Sequence, residues 1–149
     1  MNVGDIVDDF ELPDETGEAR TLTALLEKGP VVLFFYPAAL TPGCTAEACH
    51  FRDLAAELAE VGAHPVGISA DPVDKQKEFA GKHAFGYPLL SDPSGEVRAR
   101  FGVKRGLALL PTRRQTFVID TDRRVLAVIK SEVRMNAHAD KALEALRAR

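Results

Sequence analysis

The chain's two cysteines, Cys44 and Cys49, lie five residues apart within PAALTPGCTAEAC, residues 37–49. An apolar run, Val31-Val32-Leu33-Phe34-Phe35-Tyr36, precedes this segment, and an amphipathic helix pattern follows it. A buried strand therefore hands a cysteine to the start of a helix. With Thr41 as N-cap, Pro42 takes the first helical position, where a missing N–H costs nothing, and Cys44 falls at the third. Thiols placed in the field of a first helical turn ionise more easily, their pKa falling from ~8.5 toward neutrality or below. The chemistry this suggests is that of a nucleophilic or redox-active thiolate.

Position alone supplies little of a reaction. Full ionisation near neutral pH gains one to two orders of magnitude in thiolate, and low-pKa thiolates are weaker nucleophiles. Enzymatic accelerations usually exceed ~10⁶-fold, so donors must stabilise the developing charge. Arg113 and Arg114, just before the apolar strand at Thr116–Ile119, are the candidates for a cation. Helix geometry limits the cysteine pair as well. Residues five apart are turned by ~140°, with Cα atoms ~8.5 Å apart, whereas a disulfide needs about 4.4–6.8 Å. Cys44 shares its stripe with Phe51, Leu54 and Leu58, and Cys49 its side with Asp53, Ala56 and Glu60. Joining them requires the helix to open.

Two cysteines are too few for a disulfide scaffold, and a zinc site would need histidine or acidic partners. The four histidines, His50, His64, His83 and His138, have no ligand spacing and read as surface or packing residues, so no metal is expected. Lys104-Arg105 and Arg123-Arg124 read as solvated charge pairs. The formal charge of −3 offers no basic footprint for nucleic acid or an anionic membrane. No apolar run approaches the ~20 residues of a membrane helix, and acids stand in MNVGDIVDDF where a signal peptide needs a basic start. A cytoplasmic protein is expected.

The elements that position the cysteines follow from periodicity. Phe10–Leu12 and Glu18–Arg20 form a hairpin about Asp14–Gly17, and Thr21 or Thr23 caps a short helix ended by Gly29-Pro30. Val31–Tyr36 is a strand buried on both faces. A helix runs from Pro42 or Gly43 to about Val61, followed by a strand at Val66–Ser69 and a helix from Asp71-Pro72 to about His83. Tyr87–Leu90 is a short strand and Glu96–Phe101 a short helix. Gln115–Asp120 and Val125–Lys130 make a hairpin, and a last amphipathic helix begins at Asn136 or His138. This order predicts one α/β domain over residues 1–149, with a mixed central sheet covered by helices on both faces. Gly102–Pro111 is the one long irregular connection. Its apolar run Leu107–Leu110 reads as a loop tucked onto the core, or else as a partner surface beside the site.

These residues resemble the peroxiredoxin family, and within it the Q branch, the bacterioferritin comigratory protein type. The family's Pro-x-x-x-Thr-x-x-Cys signature stands here as Pro37-Ala38-Ala39-Leu40-Thr41-Pro42-Gly43-Cys44. The branch's second cysteine follows at Cys49, with Phe51-Arg52-Asp53 after it. The family's Arg-x-Thr-Phe is Arg114-Gln115-Thr116-Phe117, which selects Arg114 over Arg113. The similarity extends from Phe10-Glu11-Leu12 to the last helix. It implies a thioredoxin-like fold with an N-terminal hairpin, and a peroxidase that needs no metal, haem or flavin. Cys44 would attack hydrogen peroxide or an organic hydroperoxide. Thr41 and Arg114 would orient the peroxide, Pro37 and Pro42 would shield the thiolate, and Glu47 would hold the arginine. Cys49 would condense with the Cys44 sulfenic acid to a disulfide, which thioredoxin or a similar dithiol would reduce. A monomer or weak homodimer is expected. Two other readings remain open at this point: a non-enzymatic redox sensor acting through a Cys44–Cys49 disulfide, and a thiol–disulfide oxidoreductase, which the absence of Cys-x-x-Cys disfavours.

Overall fold

The computed structural model describes residues 1–104 and 112–149. The apolar run Leu107–Leu110 and Arg105 lie outside the described residues. In chain order the elements are β1 (Glu11–Pro13), β2 (Ala19–Thr21), α1 (Leu22–Leu26), β3 (Val31–Phe35), α2 (Pro42–Asp53), α3 (Ala55–Glu60) and β4 (His64–Ser69). There follow α4 (Val73–His83), β5 (Leu89–Ser91), α5 (Glu96–Arg100), β6 (Gln115–Ile119), β7 (Val125–Lys130) and α6 (Met135–Arg147). β1 and β2 form the expected antiparallel N-terminal hairpin. The remaining strands make a five-stranded sheet in the order β5-β4-β3-β6-β7. Strands β3, β4 and β5 run parallel, while β6 and β7 are antiparallel to their neighbours.

Every residue of β3 is buried because both faces of the sheet are covered. Val32, Phe34 and, just past the strand, Tyr36 pack with Phe51, Leu58, Phe79, Ala139 and Leu143 from α2, α3, α4 and α6. Val31, Leu33 and Phe35 pack on the opposite face with Phe10, Leu25, Val97 and Phe101. Phe34 stacks on Phe51 with ring centroids 4.2 Å apart, fixing α2 over the middle of the sheet. Gly67 of β4 makes room for these rings. A Cβ there would stand 3.0 Å from Phe34 Cζ, 3.1 Å from Tyr36 Cε1 and 2.8 Å from Leu89 Cδ2.

The helix expected to run unbroken to Val61 is instead two. Leu54 adopts φ −94° and ψ 5°, its N–H directed to the carbonyls of His50 and Arg52, and α3 starts anew at Ala55. Phe51 and Leu58 are fully buried, while Leu54, expected beside them, is only partly buried. The last helix starts at Met135, slightly earlier than the sequence suggests. Among the described residues no helix is long and apolar enough to cross a membrane.

Candidate active site

The site forms at the C-terminal end of β3, where the sheet order reverses and ligands of open α/β sheets are found. After Tyr36 the chain leaves the sheet through Pro37–Thr41, with Leu40 in a left-handed conformation at φ 67°. That turn is held from outside. The Ala39 N–H donates to Asp71 Oδ2 at 2.7 Å, and the Ser69 hydroxyl donates to the same oxygen at 2.7 Å. Gln76 donates from Nε2 to Ser69 Oγ at 3.0 Å and takes the Tyr36 hydroxyl on Oε1. One polar network thus ties the end of β3 and the turn to β4 and α4.

Thr41 is the N-cap of α2 and Pro42 its first residue, as expected. The Thr41 hydroxyl, however, does not cap the helix. It donates to the Ala38 carbonyl at 2.8 Å, inside the turn, which leaves the oxygen's lone pairs free. Cys44 sits on the buried face of the first turn at 1% exposure, a free thiol packed into the cluster of Tyr36, Ala39 and Ala48.

The cation comes from far along the chain. β6 is antiparallel to β3 with Gln115 opposite Phe35, so Arg114, one residue earlier, emerges beside the end of β3. Its guanidinium is forked. Nη1 donates to Glu47 Oε1 at 2.6 Å and Nη2 to Cys44 Sγ at 3.3 Å. Glu47 is three residues after Cys44 on α2, hence on the same helix face, and it is fully buried. The backbone N–H of Arg114 donates to Glu132 Oε1 at 3.1 Å. A Cβ at Gly43 would stand 3.4 Å from Arg114 Nη2 and 3.6 Å from Met135 Sδ, so the first turn of α2, Arg114 and the start of α6 close on one another. Arg113 is exposed, its N–H donating to the Val103 carbonyl at 2.8 Å.

Burial pushes the Glu47 carboxyl up to about 8, against the opposing pull of Arg114. The Arg114 guanidinium is held further toward its charged form by Glu47 and Cys44, which outweigh its own burial.

Cys49 is also a free thiol on α2, partly buried against the core cluster that contains Cys44 rather than facing solvent with Asp53. Its stretch of helix is fastened on three sides. The Tyr87 hydroxyl donates to the Ala48 carbonyl at 2.6 Å. His50 Nε2 meets Asp140 Oδ1 of α6 at 2.7 Å, and Arg52 Nη1 donates to the His83 carbonyl at 2.8 Å.

The structure thus brings Thr41, Cys44, Glu47 and Arg114 together, with Pro37 at the head of the turn and Cys49 one and a half turns along α2. Residues that sequence reasoning passed over are Asp71, Tyr87, Glu132 and His138. Of these, His138 left a trace: it falls on the apolar stripe of α6 with Ala139, Ala142, Leu143 and Leu146, where a polar residue needs a partner. It is fully buried next to Glu47, the packing alternative of the two expected rather than the surface one. No group of three or more histidine, cysteine, aspartate or glutamate side chains could hold a metal among the described residues.

Comparisons with known proteins show what the chain is similar to. Residues 3–128 match the AhpC/TSA family. A protein of Mycobacterium tuberculosis named as a peroxiredoxin is 68% identical over 150 residues, covering 99% of this chain and 97% of that one. The chloroplastic peroxiredoxin Q of Arabidopsis thaliana is 39% identical over 148 residues, covering 99% of this chain and 68% of its own length. Among solved structures, a peroxidoxin from Mycobacterium tuberculosis superposes with a TM-score of 0.96 at 68% identity, covering 99% and 97% of the two chains. The PrxQ of Xylella fastidiosa does so with a TM-score of 0.91 at 28% identity, covering 99% and 96%.

Proposed function

Because the chain belongs to the AhpC/TSA family of peroxiredoxins, in its Q branch, and is a thiol peroxidase, we propose that Cys44 is its peroxidatic residue and that Cys49 closes the cycle. The observation that carries this reading is the fork of Arg114, one arm on Glu47 and the other on Cys44 Sγ.

The Cys44 thiolate attacks the terminal oxygen of hydrogen peroxide or an organic hydroperoxide. The S–O bond forms as the O–O bond breaks. Cys44 becomes a sulfenic acid, and the departing alkoxide or hydroxide takes up a proton. Negative charge spreads from sulfur onto two oxygens in this transition state, and a guanidinium already in place stabilises it without reorganising. Arg114 Nε is buried with no protein partner, which leaves a donor for an arriving oxygen. The Thr41 hydroxyl, its hydrogen engaged by Ala38, accepts the peroxide O–H and so orients the molecule. Pro37 and Pro42 expose no N–H and keep water from solvating the sulfur.

Cys49 then attacks Cys44 Sγ, the disulfide forms, and the hydroxyl leaves as water. Both thiols lie in one helix, so the stretch between them unwinds before they meet. A thioredoxin-like dithiol reduces the product. On this reading residues 1–149 form one domain, working in the cytoplasm as a monomer or weak homodimer.

Stopped-flow measurement of the peroxide reaction tests the assignment. Cys44→Ser abolishes it. Cys49→Ser retains the first turnover but yields no intramolecular disulfide on mass spectrometry after one equivalent of peroxide. Full activity in Cys44→Ser, or no Cys44–Cys49 bond in the oxidised wild type, defeats the proposal.

A further inference from the structure

Behind Arg114 lies a second buried group that the peroxide chemistry above leaves unused. His138, on α6, is fully buried. Its Nε2 lies 2.7 Å from the Ser131 carbonyl, which can only accept, so Nε2 carries a proton. Its Nδ1 lies 2.8 Å from Thr116 Oγ1 and 3.6 Å from Glu47 Oε2. The other oxygen of Glu47 takes Arg114, but Oε2 is buried without a hydrogen-bond partner. A fully ionised carboxylate in that position leaves a buried oxygen uncompensated.

Arg114 supplies one positive charge to an enclosed site that holds both the Cys44 sulfur and the Glu47 carboxylate. With both ionised and His138 neutral, the three groups and the guanidinium sum to one net negative charge away from water. One more proton brings the sum to zero; with the Cys44 sulfur ionised, Glu47 Oε2 and His138 Nδ1 are the sites left to hold it.

We propose that Glu47 and His138 share a single proton in the resting enzyme, and that the pair, by retaining it, leaves the charge of Arg114 undivided for Cys44 and the peroxide. Two arrangements satisfy this: a carboxylic acid beside an unprotonated Nδ1 that takes the Thr116 hydroxyl, or a carboxylate beside an imidazolium. At 3.6 Å the coupling is electrostatic rather than a formed hydrogen bond. The directions of titration favour the first. Burial raises Glu47, with Glu132 adding to it and Arg114 opposing. Burial lowers His138, with Arg114 and Lys141 in the same direction and the Ser131 carbonyl and Glu132 against. The further titratable groups facing the pair are Cys44 and the Tyr87 phenol, whose ionisation burial suppresses. His138 is a positioning residue here, since it reaches the sulfur only through Glu47 and Arg114.

The inference rests on the peroxidase reading for its consequence but not for its primary test, which uses the resting protein. Infrared and NMR titration of reduced enzyme, carrying 13C-carboxyl glutamate and 15N-histidine, counts the protons on the pair, with Glu47→Gln assigning the signals. One shared proton is expected at pH 7, lost around pH 8. Cys44→Ser, which removes the competing negative charge, moves that loss at least one pH unit lower. An ionised Glu47 beside a neutral His138 at pH 7, a doubly protonated pair, or no movement in Cys44→Ser overturns the proposal. In activity, the peroxide step of the wild type loses rate as the pair loses its proton, and Glu47→Gln removes this alkaline limb. His138→Gln keeps a donor for Ser131, slows the step roughly tenfold at pH 7 and shifts the limb by about one pH unit. An alkaline limb that persists in Glu47→Gln refutes the link from pair to sulfur. Absence of any peroxide reaction defeats the peroxidase reading alone and leaves the spectroscopic result standing.

Discussion

The Tyr87 hydroxyl donates at 2.6 Å to the carbonyl of Ala48, the residue just before Cys49 and inside the stretch that must unwind before Cys44 and Cys49 can join. Tyr87→Phe removes that bond alone. The ring keeps its packing, with its centroid 5.8 Å from Phe34 and 5.5 Å from Phe85. A buried hydrogen bond of this kind contributes a net ~0.5–1.5 kcal/mol. If it is made in the folded helix and absent from the opened one, its loss shifts the opening equilibrium by roughly 2- to 12-fold at 1.4 kcal/mol per decade. Disulfide formation follows opening, so its rate rises by the same factor. The peroxide step, completed in the folded helix, changes less than about twofold. Stopped-flow mixing with one equivalent of peroxide separates the two phases, and acid-quenched mass spectrometry times the disulfide. A faster disulfide phase also means a shorter-lived sulfenic acid and less sulfinic acid at excess peroxide. Resolution at the wild-type rate would show that α2 opens without releasing Ala48. Slower resolution would mean that Tyr87 assists the opened state, and either result overturns the role given to the Tyr87–Ala48 bond.

Arg114→Lys keeps the charge but cannot serve Glu47 and Cys44 at once, so the peroxide step drops on the order of 10²-fold; Arg113→Lys, at an exposed position, changes it less than about twofold, and equal effects in stopped flow would overturn the assignment. Asp71→Ala removes the acceptor of the Ala39 N–H and frees the turn that holds Leu40 at positive φ; it should cost roughly 1.5–3 kcal/mol in urea unfolding and slow the peroxide step about tenfold, and an unchanged rate would show that the turn holds itself. The stability of the protein depends on pH through Glu47, which keeps its proton in the folded state up to about 8 against 4.5 when unfolded. Between those values the folded state binds the extra proton, so stability falls as pH rises, by ~1.4 kcal/mol per unit. His138, lowered from 6.5, acts in the opposite direction, stability being lost as pH falls below 6.5. Glu47's contribution is therefore cleanest from pH 6.5 to 8, where Glu47→Gln should remove ~2 kcal/mol of the decline; parallel unfolding curves for both proteins would refute it.

The proposed reactive centre was legible in the sequence alone. Thr41-Pro42-Gly43-Cys44 after an apolar strand is local chemistry, in which cap, first-turn proline and thiol sit within one helical turn. The sheet elements were equally legible, because β3 and β7 declare themselves by long apolar runs and β6 by Phe117-Val118-Ile119. Even the need for α2 to open follows from helix geometry alone. The break at Leu54 was not legible, since no glycine or proline stands there to disfavour a helix. Choosing Arg114 over its neighbour required the family pattern; its cause is the register that sets Gln115 opposite Phe35. Asp71, Tyr87 and His138 lie about 27, 43 and 94 residues from Cys44, counting along the printed chain, and reach the site only because strands and helices are packed. A lone polar residue on an apolar stripe announces that it has partners, and only the packed fold supplies them: Thr116 and the Ser131 carbonyl bond His138, with Glu47 3.6 Å away.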